Sequence, residues 1–308
     1  MDLQAAAPQA EVLLDVKNAV GESPVWHVQE QALYWVDIEQ RMVHRLDWAT
    51  RAHAQWQLHE RVACIALSAQ GTVIAAMESG IFEITLQAKS LSSVHCLAPI
   101  AHPQKGMRFN DGHCDATGRF WVSTMQRDMS LAAPDGAVFF LDENGLSAPQ
   151  VSGLITPNGL AFSLDGRRMY LSDSHPSVQK VWVLDCDSTL PELSHRAEFV
   201  DMRALPGRPD GAAVDAEDCY WICGNDAGLV HRFSPEGTML ASYPVPASKP
   251  SMCTFGGPDL QHLFVTSIMP TTSTQAHDGA VFVLHTGITG VPPALFSRFP
   301  VSSFQPVP

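Results

Sequence analysis

Short runs of apolar and aromatic residues, each closing on a small or polar residue, recur along the whole chain. They are Leu33-Tyr34-Trp35-Val36-Asp37, Thr72-Val73-Ile74-Ala75-Ala76, Phe120-Trp121-Val122-Ser123, Met169-Tyr170-Leu171-Ser172-Asp173, Tyr220-Trp221-Ile222-Cys223 and Leu263-Phe264-Val265-Thr266-Ser267. Anchored on Trp35, Ile74, Trp121, Tyr170, Trp221 and Phe264, they lie 39, 47, 49, 51 and 43 residues apart. Runs of this length read as strands, and no segment sustains a helical period. Four of them follow a Gly- or Asp-bearing pair, Gln70-Gly71, Thr117-Gly118, Asp165-Gly166 or Glu217-Asp218. Such pairs between two strand-like runs mark hairpin turns.

A further strand follows each run: Met42–Leu46, Gly80–Ile84, Ala137–Leu141, Val181–Leu184, Leu229–Phe233 and Ala280–Leu284. A less regular one follows most of these, as in Gln55–Leu58, Ser93–Leu97, Arg196–Val200 and Met239–Tyr243. With the strand that enters each run, every unit holds four. Units of roughly 40–50 residues with four antiparallel strands describe the blades of a propeller. The pattern therefore predicts an all-β chain, a six-bladed β-propeller with the six anchors in equivalent second strands. Two β-sandwiches would also space strands regularly, but six concordant units fit a ring better. The ring spans about residues 11–300 of a single domain covering 1–308. Two segments compete to close it: Val12–Val16, and Ala294–Phe299 near the other end.

The chemistry sits at one phase of this repeat. Arg108-Phe109-Asn110-Asp111-Gly112, Thr156-Pro157-Asn158-Gly159 and Arg208-Pro209-Asp210-Gly211 each place Asp or Asn before Gly at the start of an inner strand. Asn110, Asn158 and Asp210 precede Trp121, Tyr170 and Trp221 by 11, 12 and 11 residues. Glu22, in Gly21-Glu22-Ser23-Pro24, holds the corresponding phase of the first blade, while Ala63 and Ser251 hold it in the second and sixth. Asp-Gly and Asn-Gly are also common turn pairs. Their coincidence in phase, joined by Glu22, points instead to a metal site at the mouth of the central channel. Oxygen ligands favour a hard divalent ion, Ca²⁺, Mg²⁺ or Mn²⁺, and admit Zn²⁺ or Fe²⁺.

Gly21-Glu22-Ser23-Pro24-Val25-Trp26, Arg108-Phe109-Asn110-Asp111-Gly112, Pro157-Asn158-Gly159-Leu160, Pro209-Asp210-Gly211 and Thr254-Phe255-Gly256-Gly257 resemble the SMP-30/gluconolactonase/regucalcin-like family. The resemblance runs from about residue 11 to 300 and implies a propeller that hydrolyses sugar-acid lactones with one divalent metal. It implies Glu22, Asn158 and Asp210 as metal ligands and Asp210 as general base. It implies Arg108 and Asn110 as contacts to the substrate. Where family members carry an acidic residue two positions after a Thr-Met pair, this chain has Arg127, in Thr124-Met125-Gln126-Arg127. That departure bears on which lactone is preferred.

A lactone is an activated ester, so a Ser-His-Asp nucleophile is not required, and no Gly-x-Ser-x-Gly elbow occurs in the chain. A divalent cation can polarise the carbonyl while a carboxylate takes the proton of the attacking water. Arg108 and the polar loops favour a polyhydroxylated lactone over the ester or phosphotriester of a broader propeller hydrolase. Carboxylates and carboxamides converging on a channel also fit an enzyme better than a non-catalytic scaffold.

A net charge of −13 argues against a nucleic-acid partner. No apolar run approaches the roughly 18 residues of a membrane span, and Met1–Gln9 does not read as a signal peptide. The expected partner is a small sugar lactone and the expected compartment is the cytoplasm, with oligomeric state left open. Seven cysteines without a zinc-type spacing read as buried free thiols. The 13 histidines form no ligand cluster, and His113 and His175 are expected near the mouth but outside the site.

Overall fold

The computed structural model describes residues 9–88, 90–187, 193–273 and 275–297. Six antiparallel sheets stand in a ring. The first blade is β2 (Gly21–His27), β3 (Ala32–Asp37), β4 (Met42–Asp47) and β5 (His53–Gln57). The second is β6 (Val62–Leu67), β7 (Val73–Met77), β8 (Gly80–Gln87) and β9 (Ser90–Pro99). In the third, β10 (Met107–Cys114), β11 (Phe120–Gln126) and β12 (Gly136–Asp142) are followed by two short outer strands, β13 (Gly145–Leu146) and β14 (Val151–Leu154), which both pair with β12. The fourth is β15 (Pro157–Phe162), β16 (Arg168–Asp173), β17 (Lys180–Cys186) and β18 (Leu193–Asp201). The fifth is β19 (Arg208–Val214), β20 (Tyr220–Asn225), β21 (Leu229–Phe233) and β22 (Met239–Pro244). The sixth takes β23 (Pro250–Gly256), β24 (His262–Ser267) and β25 (Val281–His285), and is completed by β1 (Glu11–Leu14).

The competition for the closing edge is thus decided for the N-terminal strand. Glu11 and Val12 lie opposite Val283 and Phe282, locking first blade to last and leaving no inviting edge on β25. The later segment does something else, as far as Ser297, beyond which it lies outside the described residues. It runs across the far end of the channel, where Ala216 N–H donates to Thr289, Gly290 N–H to Leu260, Phe296 N–H to Leu67 and Ser297 N–H to Gly118. Pro293 and Ala294 leave only about 20 Å³ between themselves and the inner strands. This segment therefore covers the channel at the ends of the inner strands.

Each interface between blades is filled by one large side chain from a second strand. Ile74, Trp121, Tyr170, Trp221 and Phe264 lie opposite Ala66, His113, Ala161, Ala213 and Thr254. Each packs against the following blade. In the first blade that place belongs to Tyr34, opposite Val25, and not to Trp35 as the repeat suggested. Neighbours in a strand face opposite ways. Tyr34 therefore turns to the second blade, while Trp35 turns toward the sixth and stacks on His44 and His53.

Two blades fix this core chemically as well. Asp115 and Asp215 sit in the turns between first and second strands, and each accepts the indole N–H of the tryptophan six residues on, Trp121 at 2.9 Å and Trp221 at 2.7 Å. Their other oxygens accept backbone N–H groups of the same turns, so one carboxylate closes the hairpin and aims the ring. No disulfide links the cysteines; six are buried and Cys96, against expectation, is exposed.

Candidate active site

All six inner strands break register with their neighbours at the same depth. The shifts fall between Glu22 and Val25, Val62 and Cys64, Phe109 and Gly112, Asn158 and Ala161, Pro209 and Ala212, and Pro250 and Cys253. A bulge inserts one residue, bends the strand and re-aims a side chain. The bulges of the second, third, fifth and sixth blades contain Ala63, Asn110, Asp210 and Ser251, while Glu22 and Asn158, paired with Val36 and Ser172, stand immediately before those of the first and fourth. Gly159 serves the fourth at φ +63°, where a side chain would strike the Tyr220 hydroxyl and the Ser172 Oγ.

The sequence-expected residues therefore share one ring at the channel mouth. Asp210 and Asn158 are buried, 5% and 6% exposed. Glu22 keeps part of its surface open, toward the channel, yet is enclosed by protein. Burial raises its carboxyl well above the usual range, and the charges of Asp210 and Asp111 raise it further, against the guanidinium of Arg108. Burial likewise pushes Asp210 up to about 7, opposed by Arg208 and by a hydrogen bond from Asn225. Asn158 makes no side-chain hydrogen bond among the described residues.

Asn110 is committed differently. Its Oδ1 accepts from Arg108 Nη1 at 2.8 Å and its Nδ2 donates to the Pro157 carbonyl at 2.9 Å, so it ties Arg108 to the fourth blade. Arg108 Nη1 also donates to Phe109 O at 2.7 Å, leaving Nε and Nη2 without a bond among the described residues. His175 lies on the mouth loops, where its Nε2 meets Met129 O at 3.2 Å. His113 does not: three residues past the bulge, it lines the residual space at the closed end, and burial lowers its imidazole to about 4.

Three residues were missed by sequence reasoning. Asn225 donates to Asp210 Oδ2 at 2.6 Å. Asp111, in the bulge of the third blade, accepts from Leu160 N–H and Gly112 N–H at 2.8 Å each, binding the third blade to the bulge of β15 that follows Asn158. Burial brings its carboxyl up to about 6. Arg208 is held by Asp226 at 2.6 Å and by Ser174 O at 3.2 Å, beside Asp210. Each neighbours a motif that was read, Asp111 and Arg208 along the strand and Asn225 across it; register was the missing signal.

Among the described residues no three His, Cys, Asp or Glu side chains gather as a ligand cluster. The donor set at the mouth is instead two carboxylates and a carboxamide. It suits a divalent cation: the charge of Asp210 works against that of Glu22, Arg108 is turned to Asn110, and the Asn158 amide has no hydrogen bond among the described residues.

The family model described as "SMP-30/Gluconolactonase/LRE-like region" matches residues 20–269. The chain belongs to this family. It is 35% identical to a 6-deoxy-6-sulfogluconolactonase of Pseudomonas putida over 91% of this chain and 96% of that one. It is 31% identical to a pentonolactonase of Haloferax volcanii, over 91% and 95%. Among solved structures, a calcium-binding regucalcin from Agrobacterium tumefaciens superposes with a TM-score of 0.87 at 23% identity, over 94% of this chain and 98% of that one. That likeness confirms the propeller. Among the described residues no helix is long and apolar enough to cross a membrane.

Proposed function

We propose that this family member hydrolyses the ring ester of a sugar-acid lactone, using one divalent metal at the channel mouth. The observation that carries the proposal is the crowding of carboxylates from different blades, in which Asp210 and Asp111 add to burial in disfavouring the charge of Glu22, beside an Asn158 amide with no hydrogen bond among the described residues. Both curated relatives described above are named as lactonases of sugar acids, which supports the same reaction class.

Glu22, Asn158 and Asp210 would hold the metal. When bound, the cation neutralises the two carboxylates and supplies Lewis acidity at the lactone carbonyl. The rest falls to the chain's own groups. Arg108 presents free guanidinium nitrogens to the lactone oxygens, in an orientation fixed by Asn110. Asp210 has one oxygen occupied by Asn225, so its Oδ1 is the one that takes a proton from water. The water oxygen joins the carbonyl carbon, the ring carbon–oxygen bond breaks, and the proton passes to the departing ring oxygen as it becomes a hydroxyl. The product is the open aldonic acid.

A panel of γ- and δ-aldonolactones, assayed by acid release with Ca²⁺, Mg²⁺, Mn²⁺ and Zn²⁺ in turn, tests the reading. Turnover should depend on added metal and vanish with chelator. Calorimetry on Glu22→Gln and Asn158→Ala tests the ligand set, with binding weakened by at least about 10-fold expected for each. Normal metal binding by both variants would refute the assignment.

A further inference from the structure

Arg127 stands where family members carry an acidic residue, and the proposed mechanism gives it no role. It follows the last residue of β11, and its backbone N–H donates to Gly106 O at 3.0 Å. Gly106 is itself pinned, since a side chain there would meet Gln126 Oε1 at 2.7 Å and Gln126 Nε2 donates to Lys105 O. The stem of Arg127 is therefore fixed. Its guanidinium is not: the side chain is exposed and has no hydrogen bond or ion pair among the described residues. The neighbouring carboxylate of Asp128 is turned to Ser130, its Oδ1 accepting both the N–H and the hydroxyl of that residue.

The direction of the side chain follows from pairing. Arg108 lies opposite Met125 across β10 and β11. Residues two apart share a face, so Arg127 stands on the face of Met125 and diagonal to Arg108. The two guanidiniums are near enough to repel, which works against the charge of Arg108. In a chain of net charge −13, an exposed arginine diagonal to Arg108 and without a hydrogen bond or ion pair among the described residues is suited to an anion. Unpaired like charges held together are costly unless a ligand compensates them.

We infer that the lactone this enzyme takes carries an anionic group remote from its ring ester, and that Arg127 is the residue that selects it. The inference rests on the lactonase reading and adds the substrate's charge to it. Arg108 would face the ring oxygens, while Arg127, nearer the rim, would face the tail. Carboxylate, sulfonate and phosphate share the chemistry that a guanidinium recognises.

The experiment compares kcat/KM for a neutral aldonolactone with that for lactones bearing a terminal carboxylate, sulfonate or phosphate, in the parent and in Arg127→Gln and Arg127→Glu. Neither substitution removes a side-chain bond, so both variants should fold. In the parent, at least one anionic lactone should exceed the neutral one by about 10-fold or more. That ratio should fall by about 10-fold in Arg127→Gln and further in Arg127→Glu, chiefly through KM, because binding remote from the reacting bond is uniform. It should also shrink as salt rises, since the group is exposed. The three anionic arms identify which charge is preferred. A parent ratio near one, or a ratio unmoved by Arg127→Glu, would overturn the inference. Titrating the open-chain aldonates with and without the remote anionic group by calorimetry separates the two readings. Tighter binding of the aldonate with that group, lost in Arg127→Glu, supports anion selection even if no lactone is turned over, in which case the lactonase reading alone fails.

Discussion

Asn225 donates its amide hydrogen to Oδ2 of Asp210 at 2.6 Å, from the second strand of the same blade. One oxygen of the carboxylate is thereby fixed and the other is left facing the channel. This bears on the two duties proposed for Asp210. A carboxylate bound to a cation has its charged form favoured and is a weak base, whereas burial alone brings this one up to about 7. The balance between those effects decides whether it can take a proton near neutral pH.

Replacing Asp210 by Asn keeps an oxygen that can coordinate and removes the base. Metal should be retained, measured by calorimetry, and kcat should fall by about 10²-fold or more. Turnover near that of the parent with metal still bound would remove Asp210 from proton transfer.

Removing the partner acts through acidity. The hydrogen bond from Asn225 favours the charged form of Asp210, so Asn225→Ala should raise the carboxyl further and move the acidic limb of the kcat/KM profile to higher pH. A merely structural role would lower activity at every pH alike. An unshifted limb would count against Asp210 as the titrating base.

Metal-free stability has a defined sign. Asp titrates near 3.9 in an unfolded chain, but in the folded one Asp210 is raised to about 7, and Glu22 is raised in the same direction. Between those values the folded state holds protons that the unfolded state has released. Stability from this source is therefore full below about pH 4 and is lost as pH rises through about 7. A cation reverses the trend because it favours the charged carboxylates. Its apparent affinity should be up to about 10²-fold greater at pH 8 than at pH 5, seen as a larger metal-induced rise in Tm. Equal rises at the two pH values would contradict the ligand assignment.

Away from the mouth, Asp215 tests what holds a blade. It is wholly buried and accepts from Trp221, from Arg232 Nε at 2.8 Å and from two turn N–H groups. Asp215→Ala would leave the mostly buried Arg232 guanidinium with Glu217 alone and strand an indole N–H, at a cost of about 3–5 kcal/mol. Urea unfolding measures it, and a loss below about 1 kcal/mol would show the network to be dispensable.

The sequence by itself determined the six-fold repeat, the four-stranded blades and the phase at which Glu22, Asn110, Asn158 and Asp210 stand. Those follow from local rules: alternation, turn chemistry and spacing belong to neighbouring residues. Only the tertiary structure decided that β1 closes the ring, because two segments with similar strand character compete and packing against β25 chooses between them. It alone decided that Tyr34, not Trp35, faces the next blade, since both are large, both are buried, and register sets the face. It alone brought Asn225 to Asp210 and left Arg127 without a side-chain partner among the described residues. Those relationships depend on a one-residue bulge in each inner strand. A bulge is set by contacts between strands, and the order of residues along one strand does not contain it.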